Sequence, residues 1–354
     1  MEQYKKTREL LINHYKQYPK MEIQDMLKYI FQSSFGCEHM VSSEVFAIDY
    51  IKKEYAYTVK GDNPLTDALD GEYSRVSLSY LDKGLSAETL GKLFYLSAKK
   101  EPQGKENLEK KLPTLKELVN EGVLPFSTYE AEEIINEWAD SGYPAIHHSD
   151  AFRNEYHPAY RVISNYYIWI LPLLAEIDKM LNKGSLIMAI EGGSASGKST
   201  LADTLQSIYG CNVFHTDDFF LRPEQRTPKR LNEVGGNLDR ERFLDEVLIP
   251  LREGKDVNYR KFNCTSMKIE DAITFKPNKL TVVEGAYSMH PDLSPRYDLS
   301  VFLDISPDLQ KDRIKKRNSQ FFAMRFFNEW IPLEERYFKE MDIKDRCDIV
   351  LASK

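Results

Sequence analysis

The chain has 354 residues, 42% of them hydrophobic and 29% charged, with 48 Lys and Arg against 55 Asp and Glu for a formal net charge of -7. That length exceeds what one ordinary core organises, so two domains are expected, and the balance of apolar and charged residues excludes a disordered chain. The acidic surplus excludes the broad basic field on which binding to polymeric nucleic acid depends.

The opening residues, Met1-Glu2-Gln3-Tyr4-Lys5-Lys6, lead into a charged amphipathic stretch rather than a secretory signal. The longest apolar run, 166–177, is broken by Pro172 and Glu176 and falls short of the ~20 residues a membrane span needs, so no membrane partner is expected. Cys37, Cys211, Cys264 and Cys347 show no CxxC spacing, which suits a reducing, cytoplasmic setting.

In chain order, helical spacing appears at 3–17, with Leu10, Leu11 and Tyr15 on one face, and at 22–35, with Ile23, Met26, Leu27, Ile30 and Phe31. Further helices are expected at 44–57, 86–100, 105–121, 127–139 and 159–182, and one alternating piece, Tyr73 to Leu81, reads as a strand. By count along the sequence, 16 of the 21 Tyr precede residue 180, so the two halves differ in material. Polar and Gly residues at Asn182-Lys183-Gly184-Ser185 place the boundary, giving a mostly α-helical domain over 1–183 and a second domain over 184–354. After it, continuous apolar runs at 186–190, 212–214, 280–283, 299–303 and 348–351 alternate with helical patterns. Such runs mark strands covered on both faces by helices, so the second domain is expected to be a three-layer α/β/α fold around a parallel sheet.

Directly after the first of these runs stands Gly192-Gly193-Ser194-Ala195-Ser196-Gly197-Lys198-Ser199-Thr200, which satisfies GxxxxGK[ST]. Chance alone supplies that pattern in roughly one per cent of chains this long. Glycines let the backbone close around phosphates while successive N–H groups point inward; Lys198 then reaches the β- and γ-phosphates, and Ser199 can ligate Mg²⁺. The segment therefore reads as an ATP site of the P-loop NTPase class. No Asn-Lys-x-Asp base-reading motif occurs, since Asn278-Lys279-Leu280-Thr281 lacks the acid, and no Ser-Gly-Gly signature is present. Small-molecule kinases remain, and Thr216-Asp217-Asp218-Phe219-Phe220 offers two acids where a hydroxyl proton could be accepted.

These pieces, over about residues 185–354, resemble the uridine kinase and phosphoribulokinase group of P-loop kinases. The resemblance implies that Asp217 is the general base and a Mg²⁺ neighbour, and that Glu284, in Val282-Val283-Glu284-Gly285, assists the metal. It implies that Arg313 and Arg317, in Asp312-Arg313-Ile314-Lys315-Lys316-Arg317, are catalytic lid arginines, with Lys198, closing over the transferred phosphoryl group. Asp239 stands where the family holds acceptor hydroxyls, and Tyr259 and Arg260 fall in its acceptor segment. The His that reads a pyrimidine in the family is replaced by Met267, so the acceptor is a small nucleoside- or sugar-type metabolite and uridine itself is questioned. Asp218 is equally well read as a turn cap, and Tyr259, Arg260 and Lys261 as surface residues of a loop. The expected partner is a small molecule, with a homo-oligomer allowed.

The first domain carries five of the seven His, namely His14, His39, His147, His148 and His157, and resembles no family. Its Cys37-x-His39 and His-His spacings match no zinc pattern, so hydrogen-bonded structural residues are the main reading, with a ligand site as the alternative. For the whole chain the rival to a kinase is an ATP-sensing regulatory protein that uses a kinase-like fold. Asp217, Glu284 and the lid arginines together favour the enzyme, because a sensor needs only the loop.

Overall fold

The computed structural model describes residues 2–59, 64–99 and 101–353, which form two compact units, Met1–Lys179 and Met180–Lys354. The first contains α1 (Glu2–Gln17), α2 (Ile23–Phe35), α3 (Glu44–Tyr55), β1 (Thr66–Ala68), β2 (Tyr73–Ser77), α4 (Ala87–Ser97), α5 (Gly104–Asn120), α6 (Thr128–Asp140), α7 (Asp150–Tyr156) and β3 (Tyr160–Ser164). A helical turn at Asn165–Ile168 then leads to α8 (Leu171–Leu181). Helix starts are written in serine: Ser43, Ser86, Ser127 and Ser149 each accept the N–H three residues on, a cap worth about 1 kcal/mol. Ile23, Met26, Leu27, Ile30 and Phe31 of α2 are all buried, as their spacing requires.

Three expectations are corrected. The helix expected over 159–182 is instead strand β3 followed by α8, because Pro172 has no N–H to give a helix interior and fits only the first turn, which starts at Leu171. The freed segment Arg161-Val162-Ile163 pairs antiparallel with β2, Arg75 opposite Val162. The strand expected over 73–81 ends at Ser77, whose hydroxyl accepts from the Ser79 N–H at 3.1 Å and starts a tight helical turn at Leu78–Lys83. Strand β1 and helix α7 were not expected. The helix expected over 86–100 stops at Ser97, and residue 100 lies outside the described residues.

The histidines of this unit are mostly packed. His148 is buried against Asp25, His14 against Tyr18 and Tyr29, and His39 stands edge-on to Phe31. Among the described residues no group of three or more His, Cys, Asp or Glu is arranged to hold a metal ion.

The second unit is built on β4 (Leu186–Gly192), β5 (Asn212–His215), β6 (Leu280–Glu284), β7 (Leu299–Asp304) and β8 (Ile349–Ala352). They form one parallel sheet in the order β8-β7-β4-β6-β5. Strands β4 and β6 are buried along their whole length, which is why both read as unbroken apolar runs. Helix α9 (Lys198–Tyr209) follows β4, and α10 (Pro307–Arg317), α11 (Gln320–Arg325) and α12 (Ile331–Glu340) lie between β7 and β8 in the chain. The chain leaves β4 for one edge of the sheet and later crosses to β7 on its other side, so the ends of β4, β5 and β6 meet at the point where strand order reverses, the usual ligand position in such sheets. Among the described residues no helix is long and apolar enough to cross a membrane.

Candidate active site

The loop between β4 and α9 is shaped by positive φ at Gly192 (146°), Ala195 (61°) and Gly197 (101°). A side chain at Gly192 would bring its Cβ to 2.6 Å from the Leu303 carbonyl oxygen, so only glycine fits there. Helix α9 begins at Lys198 without a side-chain cap, which leaves its first N–H groups free to face an anion. The loop carbonyls are turned outward and tied down. Lys198 Nζ donates to Gly192 O at 2.9 Å and Gly193 O at 3.1 Å, Gln310 Nε2 to Ser194 O at 2.9 Å, and Ser353 Oγ to Ser196 O at 2.8 Å. The N–H groups of Gly192, Ser194 and Ser196 are taken by Glu191, Glu334 and the Gly193 carbonyl, so the donors left for an anion are those of the intervening loop residues and the start of α9. The Ser196 hydroxyl, buried and without a hydrogen bond, adds a donor that suits a phosphate oxygen.

Arg313, on α10, donates from Nη1 to Ala195 O at 3.0 Å and Ser196 O at 3.3 Å. The resemblance reads Arg313 as closing over the transferred group; here these two bonds tie its guanidinium to the backbone of the loop. Arg317, at the exposed end of α10, has no hydrogen bond or ion pair to the loop among the described residues.

Beside the loop, the ends of β5 and β6 bring acids together. Ser199 Oγ donates to Glu284 Oε1 at 3.0 Å, and His215 Nδ1 lies 2.6 Å from the same oxygen. Burial alone would push the Glu284 carboxyl up, but His215, Lys198 and Ser199 outweigh it and hold the group below its usual range. The Glu284 bond in turn raises His215. Asp217 is open to water on one side and makes no side-chain hydrogen bond among the described residues. Enclosure by the surrounding cleft raises its pKa, Lys198 opposes the rise, and Glu284 and Asp218 reinforce it. Asp218 is held: Tyr259 donates its phenolic hydrogen to Oδ2 at 2.7 Å, and Lys261 Nζ stands 3.2 Å away.

The acceptor residues fare differently. Tyr259 is 2% exposed in the core beside Phe214 and Phe219, which corrects the expectation that its phenol meets an acceptor; the hydroxyl positions Asp218 instead. Arg260 pairs with Glu246 at the surface. Asp239 is buried, caps the turn Arg240–Phe243 through the Arg242 N–H at 3.3 Å, and leaves Oδ2 without a hydrogen bond. Its own N–H donates to Phe219 O at 2.8 Å, which pins this segment to the one bearing Asp217 and Asp218.

Three functional neighbours escaped the sequence reading. His215 carried a signal, a polar residue ending an apolar strand. Glu191, the last residue but one of β4, is fully buried and accepts from Gly192 N at 2.8 Å, Met289 N at 3.1 Å and Tyr337 Oη at 3.0 Å; burial pushes it up to about 7. Glu334, on α12, accepts from both the N–H (2.8 Å) and the hydroxyl (2.6 Å) of Ser194, a contact across 140 residues that no local pattern announces.

Comparison with known proteins meets this geometry. The profile of the phosphoribulokinase / uridine kinase family matches residues 187–319, the stretch from β4 through α10. A uridine kinase of Shewanella frigidimarina is 30% identical over 144 residues, covering 37% of this chain and 67% of its own. The chain belongs to the phosphoribulokinase / uridine kinase family. A second relative of these family residues, the bifunctional alpha-galactosidase/sucrose kinase of Mediterraneibacter gnavus, is 28% identical over 176 residues, which is 42% of this chain and 18% of that longer protein. A solved structure, a possible uridine kinase from Bacillus stearothermophilus, is 21% identical with a TM-score of 0.38 and covers 51% of this chain and 98% of its own.

Proposed function

We propose that the chain is an ATP- and Mg²⁺-dependent kinase that phosphorylates a hydroxyl of a small polyhydroxylated metabolite. The observation that carries this reading is Asp217: an ionisable carboxyl, free of hydrogen bonds among the described residues, in the turn that follows β5, with Lys198 among its charged neighbours. A protein that only senses ATP has no use for such a group.

In this reading ATP lies with its phosphates in the loop from Gly192 to Thr200, whose remaining N–H groups and the start of α9 take up the negative charge. Ser199 and Glu284 offer hard oxygen donors on one side of the cleft and Asp217 a third, a donor set that suits Mg²⁺ shared with substrate phosphates and needs no all-protein cage. Bound there, the ion supplies charge neutralisation at the phosphates. Asp217 takes the proton of the acceptor hydroxyl as its oxygen forms a bond to the γ-phosphorus, the bond from that phosphorus to the β-phosphate oxygen breaks, and ADP leaves. Lys198 balances charge that develops on the transferred oxygens. Arg313 acts through the loop it braces.

Relatives named for uridine and for sucrose support a nucleoside- or sugar-type acceptor. Met267 lies in the turn between Asn263 and Lys268, and an apolar side chain there gives no hydrogen bond to a pyrimidine edge, which weighs towards a sugar-type hydroxyl donor. The test is ADP release over a panel of nucleosides, sugars, sugar phosphates and vitamin precursors, with the Lys198→Ala protein as blank. An acceptor that raises ADP release well above the blank, together with a phosphorylated product, supports the reading. No such acceptor across the panel would leave the sensor reading in its place.

A further inference from the structure

Two residues of α12, Glu334 and Tyr337, hold the start of the phosphate loop, although neither belongs to its motif. Positions three apart share one face of a helix, so the two contacts are a single feature of α12. Tyr337 donates to Glu191, which in turn accepts the Gly192 N–H. Glu334 is 6% exposed and takes both donors of Ser194, the N–H on Oε2 at 2.8 Å and the hydroxyl on Oε1 at 2.6 Å. Burial raises the Glu334 carboxyl, while Lys198 and the two Ser194 donors lower it.

The Ser194 N–H belongs to the peptide whose carbonyl is Gly193 O. That peptide is trans, so its N–H and its C=O point in opposite directions. The carbonyl end accepts from Lys198 Nζ at 3.1 Å, beside Gly192 O at 2.9 Å, and from the Ser196 N–H at 3.1 Å. Glycine restricts its backbone less than any other residue, so at Gly193 the orientation of this plane rests on what its two ends touch. Lys198 ends in a flexible stem and cannot fix a peptide by itself. The partner carried on a rigid element is Glu334, and it holds the opposite end of the plane from Lys198.

We propose that Glu334 is a positioning residue for Lys198: it holds the peptide between Gly193 and Ser194 by its N–H and so keeps the Gly193 carbonyl turned to the ammonium. This role rests on the reading of the loop as an ATP site, since it sets where Lys198 waits for the β- and γ-phosphates. With the N–H released the peptide is free to turn, and Lys198 loses one of its two carbonyls. The role needs a hydrogen-bond acceptor at the right reach and does not need a charge. An amide in place of the carboxylate still offers Oε1 to the Ser194 N–H, and the Ser194 hydroxyl can turn to accept from its NH₂. A carboxylate one methylene shorter keeps the charge and loses the reach, and an alkyl side chain offers no acceptor.

The experiment compares Glu334→Leu, Glu334→Asp and the conservative rescue Glu334→Gln with the parent, all as full chains checked for folding by circular dichroism. Amine acylation of the nucleotide-free chain, followed at Lys198 by peptide mass spectrometry, reads the freedom of the ammonium without reference to ATP. Calorimetry with MgATP and no acceptor reads the phosphate site. Glu334→Leu and Glu334→Asp are expected to acylate at Lys198 about tenfold faster and to bind MgATP about tenfold more weakly, the scale of one charge-assisted hydrogen bond, and Glu334→Gln to restore both. Parental acylation of Lys198 in the Leu and Asp variants overturns the proposal, whatever happens to MgATP. Glu334→Gln behaving as Glu334→Leu does also overturns it, because charge and not the held peptide would then be the active feature. If Glu334→Leu does not fold, Glu334→Asp decides. Faster acylation in the Leu and Asp variants of a parent that binds no MgATP supports the hold of Glu334 on Lys198 and overturns the ATP reading of the loop.

Discussion

His215 Nδ1 lies 2.6 Å from Glu284 Oε1, the same oxygen that accepts the Ser199 hydroxyl at 3.0 Å. The strand-end histidine thus orients the carboxylate we assign to the metal side of the cleft, and it does so as a charged partner, since each raises or lowers the other toward its ionised form. The pair is intact between two limits. It is lost as pH rises through the raised pKa of His215, and as pH falls through the depressed pKa of Glu284. Partners of this kind typically change metal affinity or activity by about 10- to 100-fold when removed. His215→Ala is therefore expected to need more Mg²⁺ for half-maximal turnover and to lower kcat at limiting Mg²⁺ by that order. A Mg²⁺ titration of ADP release, beside a circular dichroism check of folding, measures it; an unchanged Mg²⁺ requirement would remove His215 from the site.

Asp217→Asn keeps the size of the side chain and removes its capacity to take a proton, so turnover is expected to fall by about 10²- to 10⁴-fold while nucleotide still binds. Lys198→Ala is expected to lose nucleotide binding as well. Because the cleft raises the pKa of Asp217, the acid limb of the parent's kcat profile should lie above the ordinary Asp value of about 4. Activity is lost as pH falls through that raised value. Near-parental ADP release by Asp217→Asn in the presence of acceptor would end the assignment of the base.

The two lid arginines are expected to separate. Arg313 braces two carbonyls of the phosphate loop, so Arg313→Ala loosens the loop and should raise the KM for ATP by about tenfold, the scale of one or two charge-assisted hydrogen bonds. Arg317, exposed at the end of α10, should leave that KM within about twofold when replaced by Ala, the ordinary outcome for a surface site. Steady-state kinetics on both variants tests this, and a larger KM effect at Arg317 would show that it moves in when ATP binds.

The phosphate loop and the five parallel strands were legible because short-range physics dictates them: glycines at fixed spacing after a buried apolar run leave one backbone path. The acids Asp217 and Glu284 were legible as strand-end residues on that sheet. Tyr259 was misjudged because a loop motif does not reveal which way a phenol points; packing against Phe214 and Phe219 turned it inward, where its hydroxyl meets Asp218. Glu334 was invisible because its partner Ser194 is 140 residues away and nothing in 331–340 is unusual for a surface helix. In the first unit, Pro172 was noticed as an interruption yet not used as a helix start, and that cost strand β3.

Glu191 makes the last prediction. It is the last residue but one of β4, fully buried, and its carboxyl is pushed up to about 7 by burial, against the opposing effects of the Gly192 and Met289 N–H groups, Lys198 and Tyr337. In the unfolded chain the group titrates near the ordinary Glu value of about 4.3. Between those values the folded state holds more protons than the unfolded one, so this residue makes stability fall as pH rises through the window and level off above it. The span corresponds to a loss on the order of 3 kcal/mol. Glu191→Gln cannot titrate, so its stability is expected to fall less than the parent's between pH 5 and pH 8, whatever the absolute cost of the amide beside those N–H groups. Urea unfolding of both proteins at several pH values measures the difference in slope. Parallel curves would mean that Glu191 stays ionised in the fold, with the Gly192 and Met289 N–H groups and Lys198 outweighing its burial.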